Sequence, residues 1–158
     1  MAAAALPNVS SDLIWEVVRS QNAFLVKRSD IGNLQLSRDP LNLTNKHSRK
    51  YAGFVNDKAI GVVPNEKGGV QVVSKNQKNG NKPAKATSET TFSGNKSARK
   101  TYKAVALQAA KDGYRADLRE AAVQRVSAIR RSQKAVKPEA EKKPRGVKAK
   151  AAAAKTEA

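Results

Sequence analysis

The sequence predicts an α+β fold: a small antiparallel sheet of three to four strands, packed with a short N-terminal helix and a C-terminal helical hairpin, and carrying basic loops and a basic tail. Three observations lead there. Apolar residues recur at helical spacing near the start of the chain and again between residues 95 and 134. Short runs rich in Val and Ile, separated by turn formers, occupy residues 51–75. Lys, Ala, Pro and Glu without apolar periodicity fill residues 135–158. The chain divides accordingly into a flexible extension at 1–10, one domain at 11–134 and a disordered tail at 135–158.

Ser10, Ser11 and Asp12 are candidate N-caps, because each offers a side-chain oxygen to unpaired amides. Leu13, Ile14, Val17 and Val18 then form the stripe of a short amphipathic helix, with Trp15 off that stripe and expected to pack on a second surface of the core. Phe24–Arg28 reads as a strand that joins the sheet formed further along the chain. Residues 29–50 read as loop, with Gly32, Pro40 and several Asn. Within them Asn45–Lys50 is basic and polar, which suits a phosphate-contacting loop. A meander follows: Tyr51–Val55, a turn at Asn56-Asp57, Lys58–Val63, a loop at Pro64–Gly69, and Val70–Ser74. Residues 75–89 are low-complexity, hold little to bury and are expected to be mobile, with a short strand possible at Thr87–Phe92.

Residues 95–111 read as a helix with Ala98, Tyr102, Val105 and Ala109 on one face, stopped by Asp112-Gly113 with glycine as the left-handed cap. Tyr114–Lys134 then reads as a single helix of about five turns. Leu118, Ala122, Val126 and Ile129 face the core; Arg115, Arg119 and Arg130 form an adjacent strip about 60° wide at 100° per residue.

Charge narrows the function classes. The 158 residues carry 31 Lys and Arg against 13 Asp and Glu, a formal net charge of +18. Residues 1–40 hold four bases and four acids; 41–96 and 97–134 each hold ten bases and three acids; 135–158 hold seven and three. Such an excess repels itself and calls for an anionic partner. Without cysteine there are no disulfides or thiolate zinc sites. His47 is the only histidine, no phosphate-binding glycine loop is present, and the acids lie among Lys and Arg that favour their ionised form. No catalysis, metal, cofactor or small-molecule substrate is expected. No apolar run approaches the roughly 18 residues of a spanning helix; Met1–Leu6 lacks the features of a signal peptide, so cytosol or nucleus is expected, with no membrane partner.

RNA is the favoured anion. Lys and Arg neutralise phosphates, and the planar Arg fork also stacks on bases. A strip of stacking aromatics is lacking, so backbone and shape recognition of folded RNA is the expected mode. The candidate contacts are Arg28, Lys46, His47, Arg49, Lys50, Lys82, Lys85, Lys96, Arg99, Lys100, Lys103, Arg115, Arg119, Arg125, Arg130, Arg131 and Lys134. A basic DNA- or chromatin-binding protein is the composition-level alternative.

Several segments are more specific. Trp15-Glu-Val-Val-Arg19 and Phe24-Leu-Val-Lys-Arg28 are followed by Pro40-Leu-Asn-Leu43, Tyr51-Ala-Gly53, Lys58-Ala-Ile-Gly-Val-Val-Pro64 and Gly69-Val-Gln-Val-Val73. Lys82-Pro-Ala84, Thr90-Thr91, Tyr114-Arg-Ala-Asp-Leu-Arg119, Ala121-Ala122 and Arg125–Lys134 complete the series. In this order, over residues 11–134, the chain resembles the eukaryotic large-subunit ribosomal protein family numbered twenty-eight in the L series. The resemblance implies a structural component of the cytosolic large (60S) subunit, supporting translation. It further implies binding to large-subunit ribosomal RNA near an expansion segment, neighbouring ribosomal proteins as partners, and assembly in the nucleolus. It transfers no catalytic residues. A large-subunit assembly factor that shares the domain, but continues into a longer acidic region, is the alternative within this reading.

Overall fold

The computed structural model describes residues 9–80, 82–139 and 145–148. Helix α1 (Ser11–Val18) is followed by strands β1 (Leu25–Arg28), β2 (Leu34–Ser37), β3 (Ile60–Pro64), β4 (Gly69–Lys75) and β5 (Thr87–Ser93), then helices α2 (Ala98–Ala110) and α3 (Arg119–Ser132). Single 3-10 turns fill short gaps at Gln77–Asn79, Pro83–Lys85, Lys111–Gly113 and Ala116–Leu118. The α+β reading holds, but the strands form two sheets: an antiparallel pair β1-β2 and an antiparallel sheet ordered β3-β4-β5.

Helix α1 begins at Ser10, whose hydroxyl accepts from the Leu13 amide at 3.3 Å. None of its residues is buried, and Leu13 and Val17 are exposed. Trp15 does not reach the core as expected. Its ring packs against His47, with centroids 5.0 Å apart and planes at 40°.

Phe24–Arg28 was expected to join the main sheet. Instead Leu25–Arg28 pairs with β2, from Leu25↔Ser37 to Arg28↔Leu34, inside the stretch expected to be loop. Leu34 and Leu36 alternate with polar neighbours for only four residues, too brief a period to announce a strand. Tyr51–Val55, expected as a strand, is a run of turns. The Ser48 carbonyl accepts from the Tyr51 and Ala52 amides, and the Ala52 carbonyl from the Val55 and Asn56 amides. The buried Asp39 carboxylate takes the Leu41 and Phe54 amides, each at 2.9 Å, in place of a neighbouring strand. Gly53 lies so close to Leu41 that a Cβ there would collide with it. The apolar residues of this segment therefore line a buried turn.

The β3–β4 turn closes on Asn65, Gly68 and Gly69: the Asn65 amide donates to the Gly69 carbonyl and the Gly68 amide to the Asn65 carbonyl. Gly69 has φ +90°, and a Cβ on it would strike the β5 backbone at Phe92. Both conditions select glycine. Residues 75–89, read as low-complexity, contain the end of β4, two 3-10 turns and the start of β5, which runs one residue beyond the expected Thr87–Phe92.

Ile60, Val62, Val70, Val72 and Phe92 from the sheet meet Val105 and Ala109 of α2 and Leu118, Ala121, Ala122, Val126 and Ile129 of the α3 region, with Leu43 from the preceding loop. Of the faces read from spacing, Val105, Ala109, Leu118, Ala122, Val126 and Ile129 are buried, whereas Ala98 and Tyr102 are half-buried and Thr101, off the expected stripe, is buried in α2. The chain between the helices differs from expectation. Asp112 and Gly113 both take positive φ and stop α2, but Tyr114 and Arg115 lie outside any helix, Arg115 at φ −150° and ψ 65°. A 3-10 turn at Ala116–Leu118 leads into α3, so Tyr114–Lys134 is not one helix. Two long-range demands break it. The Tyr114 hydroxyl reaches the sheet, donating to the Lys75 carbonyl at 2.6 Å and accepting from the Ala59 amide at 3.2 Å. Arg115 turns its guanidinium to backbone carbonyls elsewhere. At the far end of α3, the Gln133 side chain donates to the Gly69 carbonyl at 2.7 Å and accepts from the Gly69 amide at 3.0 Å. Of the expected tail, 135–139 and 145–148 are described and exposed; the rest of it, and residues 1–8 of the expected extension, lie outside the described residues.

Candidate nucleic-acid interface

The cations sort into two kinds by what their nitrogens touch. Arg49 is held. Its guanidinium donates to Asp12 at 2.7 and 2.9 Å, to the Ser11 hydroxyl at 2.8 Å and to the Asn56 side chain. It ties α1 to the turns at residues 48–56. His47 stacks on Trp15, and its Nε2 lies 2.7 Å from the Arg19 carbonyl, which fixes the end of α1.

Arg115 is held more fully. It meets Asp117 through two nitrogens at 2.8 and 2.9 Å and donates to the carbonyls of Lys58 at 2.7 Å and Lys50 at 3.0 Å. Its side chain is only 16% exposed. The paired guanidinium hydrogen bonds hold the Asp117 carboxyl below the usual carboxylate range. Arg130 donates to the Thr101 hydroxyl at 3.3 Å and the Gly94 carbonyl at 3.0 Å, joining α3 to α2 and to the end of β5. Arg125 is half-buried, and its Nε has no hydrogen-bond partner among the described residues. The strip Arg115, Arg119, Arg130 expected from helical spacing is thus not one surface: two of its three members are fastened to backbone, and the first precedes the helix.

The second kind is exposed. Lys82 precedes a 3-10 turn and Lys85 ends it; Lys96 follows β5 with its ammonium 4.8 Å from the centre of the Phe92 ring. Arg99, Lys100 and Lys103 lie on α2, within about 100° of one another at 100° per residue. Arg119, Arg131 and Lys134 lie on α3 or just beyond it. None of these nine makes an ion pair among the described residues, where the four pairs are Arg19–Glu16, Arg28–Asp30, Arg49–Asp12 and Arg115–Asp117. Lys103 and Arg119 both line an open groove of about 1090 Å³ between the helices, with Tyr102, Leu107 and Val123. Elsewhere Lys46 is exposed beside the β1–β2 pair, bridging to Leu36 through its backbone. Lys50 is exposed and sits 5.5 Å over the Tyr51 ring, and Arg28 keeps a loose 4.0 Å contact with Asp30.

A family model described as the Ribosomal L28e protein family matches residues 13–132. The chain belongs to that family. Large ribosomal subunit protein eL28 of Schizosaccharomyces pombe is 45% identical over 128 residues, covering 80% of this chain and 95% of the relative. The protein of the same name from Dictyostelium discoideum is 39% identical over 138 residues, covering 85% and 99%. That of Caenorhabditis elegans is 37% identical over 125 residues, covering 79% and 91%. These are ribosomal proteins, not an enzyme class.

Among the lysines of this L28e family member that sequence reasoning passed over are Lys75, Lys78 and Lys111. Lys78 lies exposed in the 3-10 turn after β4 and Lys111 exposed just after α2. Lys75 is of the opposite sort: it is buried, and its ammonium donates to the carbonyls of Phe54 at 3.1 Å and Asn56 at 2.9 Å. Burial lowers its pKa, against the opposing pull of Asp39 and Asp57. Its position at the end of the Val70–Ser74 strand pattern was the available signal, since a residue there faces either core or solvent. Burial likewise raises the Tyr114 pKa. Among the described residues no group of three or more His, Asp or Glu is placed to hold a metal ion, and no helix is long and apolar enough to cross a membrane.

Proposed function

We propose that this protein is a structural constituent of the large ribosomal subunit and binds large-subunit ribosomal RNA through the exposed cations of residues 82–103 and of α3. The carrying observation is that nine cations there stand exposed without ion pairs, in a member of a ribosomal protein family. The phosphate backbone of RNA keeps its condensed cations until a solvated Lys or Arg displaces them, and the release of those cations drives binding. Arg49, Arg115 and Arg130 have a different part: they fix the loops and helices on which the free cations ride. The RNA partner includes an expansion segment, other large-subunit proteins lie alongside, and the protein joins the subunit in the nucleolus before working in cytoplasmic ribosomes.

Combined Arg99→Glu, Lys103→Glu and Arg119→Glu changes test the reading. Affinity for large-subunit ribosomal RNA is expected to fall at least tenfold, and the slope of log K against log salt to flatten by about two to three. Unaltered affinity and slope would remove these helices from the interface. Two rival readings have their own signatures. An assembly factor would sediment with precursors and be missing from mature subunits and polysomes. A chromatin protein would prefer duplex DNA to structured RNA in competition at physiological salt.

A further inference from the structure

Strand β5 is an edge. It pairs with β4 over seven residues, from Gly69↔Ser93 to Lys75↔Thr87, without a bulge. The hydrogen-bond phase of that ladder follows from its continuation, where the Asn76 amide donates to the Ala86 carbonyl at 2.7 Å. Antiparallel pairs alternate between bonded and non-bonded, so Ser88, Thr90 and Phe92 turn their amides and carbonyls toward β4. The other side of β4 agrees: the Lys75 amide donates to the Ala59 carbonyl at 3.0 Å, in phase with the β3 ladder. Thr87, Glu89 and Thr91 therefore direct their amides and carbonyls away from the sheet. No acceptor among the described residues takes any of these three amides.

Edges of this kind are normally blunted by Lys, Pro or a bulge. Thr87-Ser-Glu-Thr-Thr-Phe-Ser93 has none of these, and its three threonines favour extended backbone. The ten residues Ala86–Asn95 contain no Lys or Arg and one acid, Glu89, held by Gln71 at 2.6 Å. In a chain of net charge +18 this edge is poorly made for phosphate and well made for a basic polypeptide. A second copy is disfavoured, because it would bring another +18 against the first.

From this edge we infer that β5 adds an extended, basic segment of another large-subunit protein as a fourth strand, with main-chain hydrogen bonds to Thr87, Glu89 and Thr91 and a Lys or Arg of the partner facing Glu89. The inference rests on the proposed residence in the large subunit and names a class of neighbour there.

The test uses gradient-purified large subunits that carry the full chain with the photo-crosslinker p-benzoylphenylalanine at Ser88, an exposed position. If the protein is not in the subunits, the proposed function fails first. If it is, irradiation should yield one dominant adduct, resistant to ribonuclease, to a Lys- or Arg-containing peptide of a different subunit protein. Thr91→Pro deletes one outward amide and no bond to β4, and should lower that adduct at least tenfold while the protein stays in the subunit. Glu89→Lys keeps every amide and should lower it less. An adduct to RNA alone, to a second copy, or to nothing overturns the inference, as does an equal yield from Thr91→Pro subunits.

Discussion

The region around α1 and the region around α3 are held by opposite means. Helix α1 buries no residue; Arg49, His47 and the Ser10 cap fasten it through hydrogen bonds and one ring contact. Helix α3 and the turn before it bury Leu118, Ala121, Ala122, Val126 and Ile129 against β3, β4 and α2. The acids follow the same division with one exception. Asp12, Glu16 and Asp30 of the neutral N-terminal part each meet an arginine, and so does Asp117 in the turn before α3, whereas the cations of α2 and the exposed ones of α3 meet no acid among the described residues. A region that spends its charges on its own architecture has few left for a partner. One secured by apolar contact can leave its charges in water.

The contrast can be broken first at the core. Ile60→Ala removes a fully buried side chain from β3 and should cost about 2–5 kcal/mol in chemical denaturation. A cost well under that range would mean the sheet and helices are not one packed body. Next comes the joint between the sheet and the turns at residues 51–57. Lys75→Met leaves the Phe54 and Asn56 carbonyls without their donor, for a loss of about 1–3 kcal/mol. A neutral or stabilising outcome would show that water or a local shift replaces the ammonium. The smallest global effect belongs to Arg49→Ala. Its partner Asp12 is 83% exposed, so solvent screens the pair, and the global change should stay within about 1 kcal/mol. Amide exchange in α1 should nevertheless quicken while that in α3 does not. Parallel quickening in both helices would erase the distinction.

What was legible in the sequence follows the range of the physics. The buried faces of α2 and α3 are set by a period of 3.6, a property of neighbouring residues, and Val105, Ala109, Ala122, Val126 and Ile129 are buried as that period requires. The β3 and β4 segments carry their own valines. Partners distant in sequence were not legible. Arg115 reads as a solvent-facing helical arginine until Lys58 and Lys50, 57 and 65 residues away, present carbonyls to it. Trp15 reads as a core residue until His47 provides its surface. The acid two residues after Arg115 was the one local hint, and it competes with the helical pattern around it. Exposure without a pair, the property that separates the nine candidate contacts from Arg49, Arg115 and Arg130, belongs to the folded chain and has no counterpart in composition.

The clasp between Gln133 and Gly69 has a kinetic consequence. By holding the last residues of α3 to the β3–β4 turn with two hydrogen bonds, it gives residues 135–158 a fixed point of departure. Under the proposed docking on RNA, a cation beyond that point, such as the exposed Lys137, meets a phosphate in an intramolecular step whose probability is an effective concentration set by its reach from Gln133.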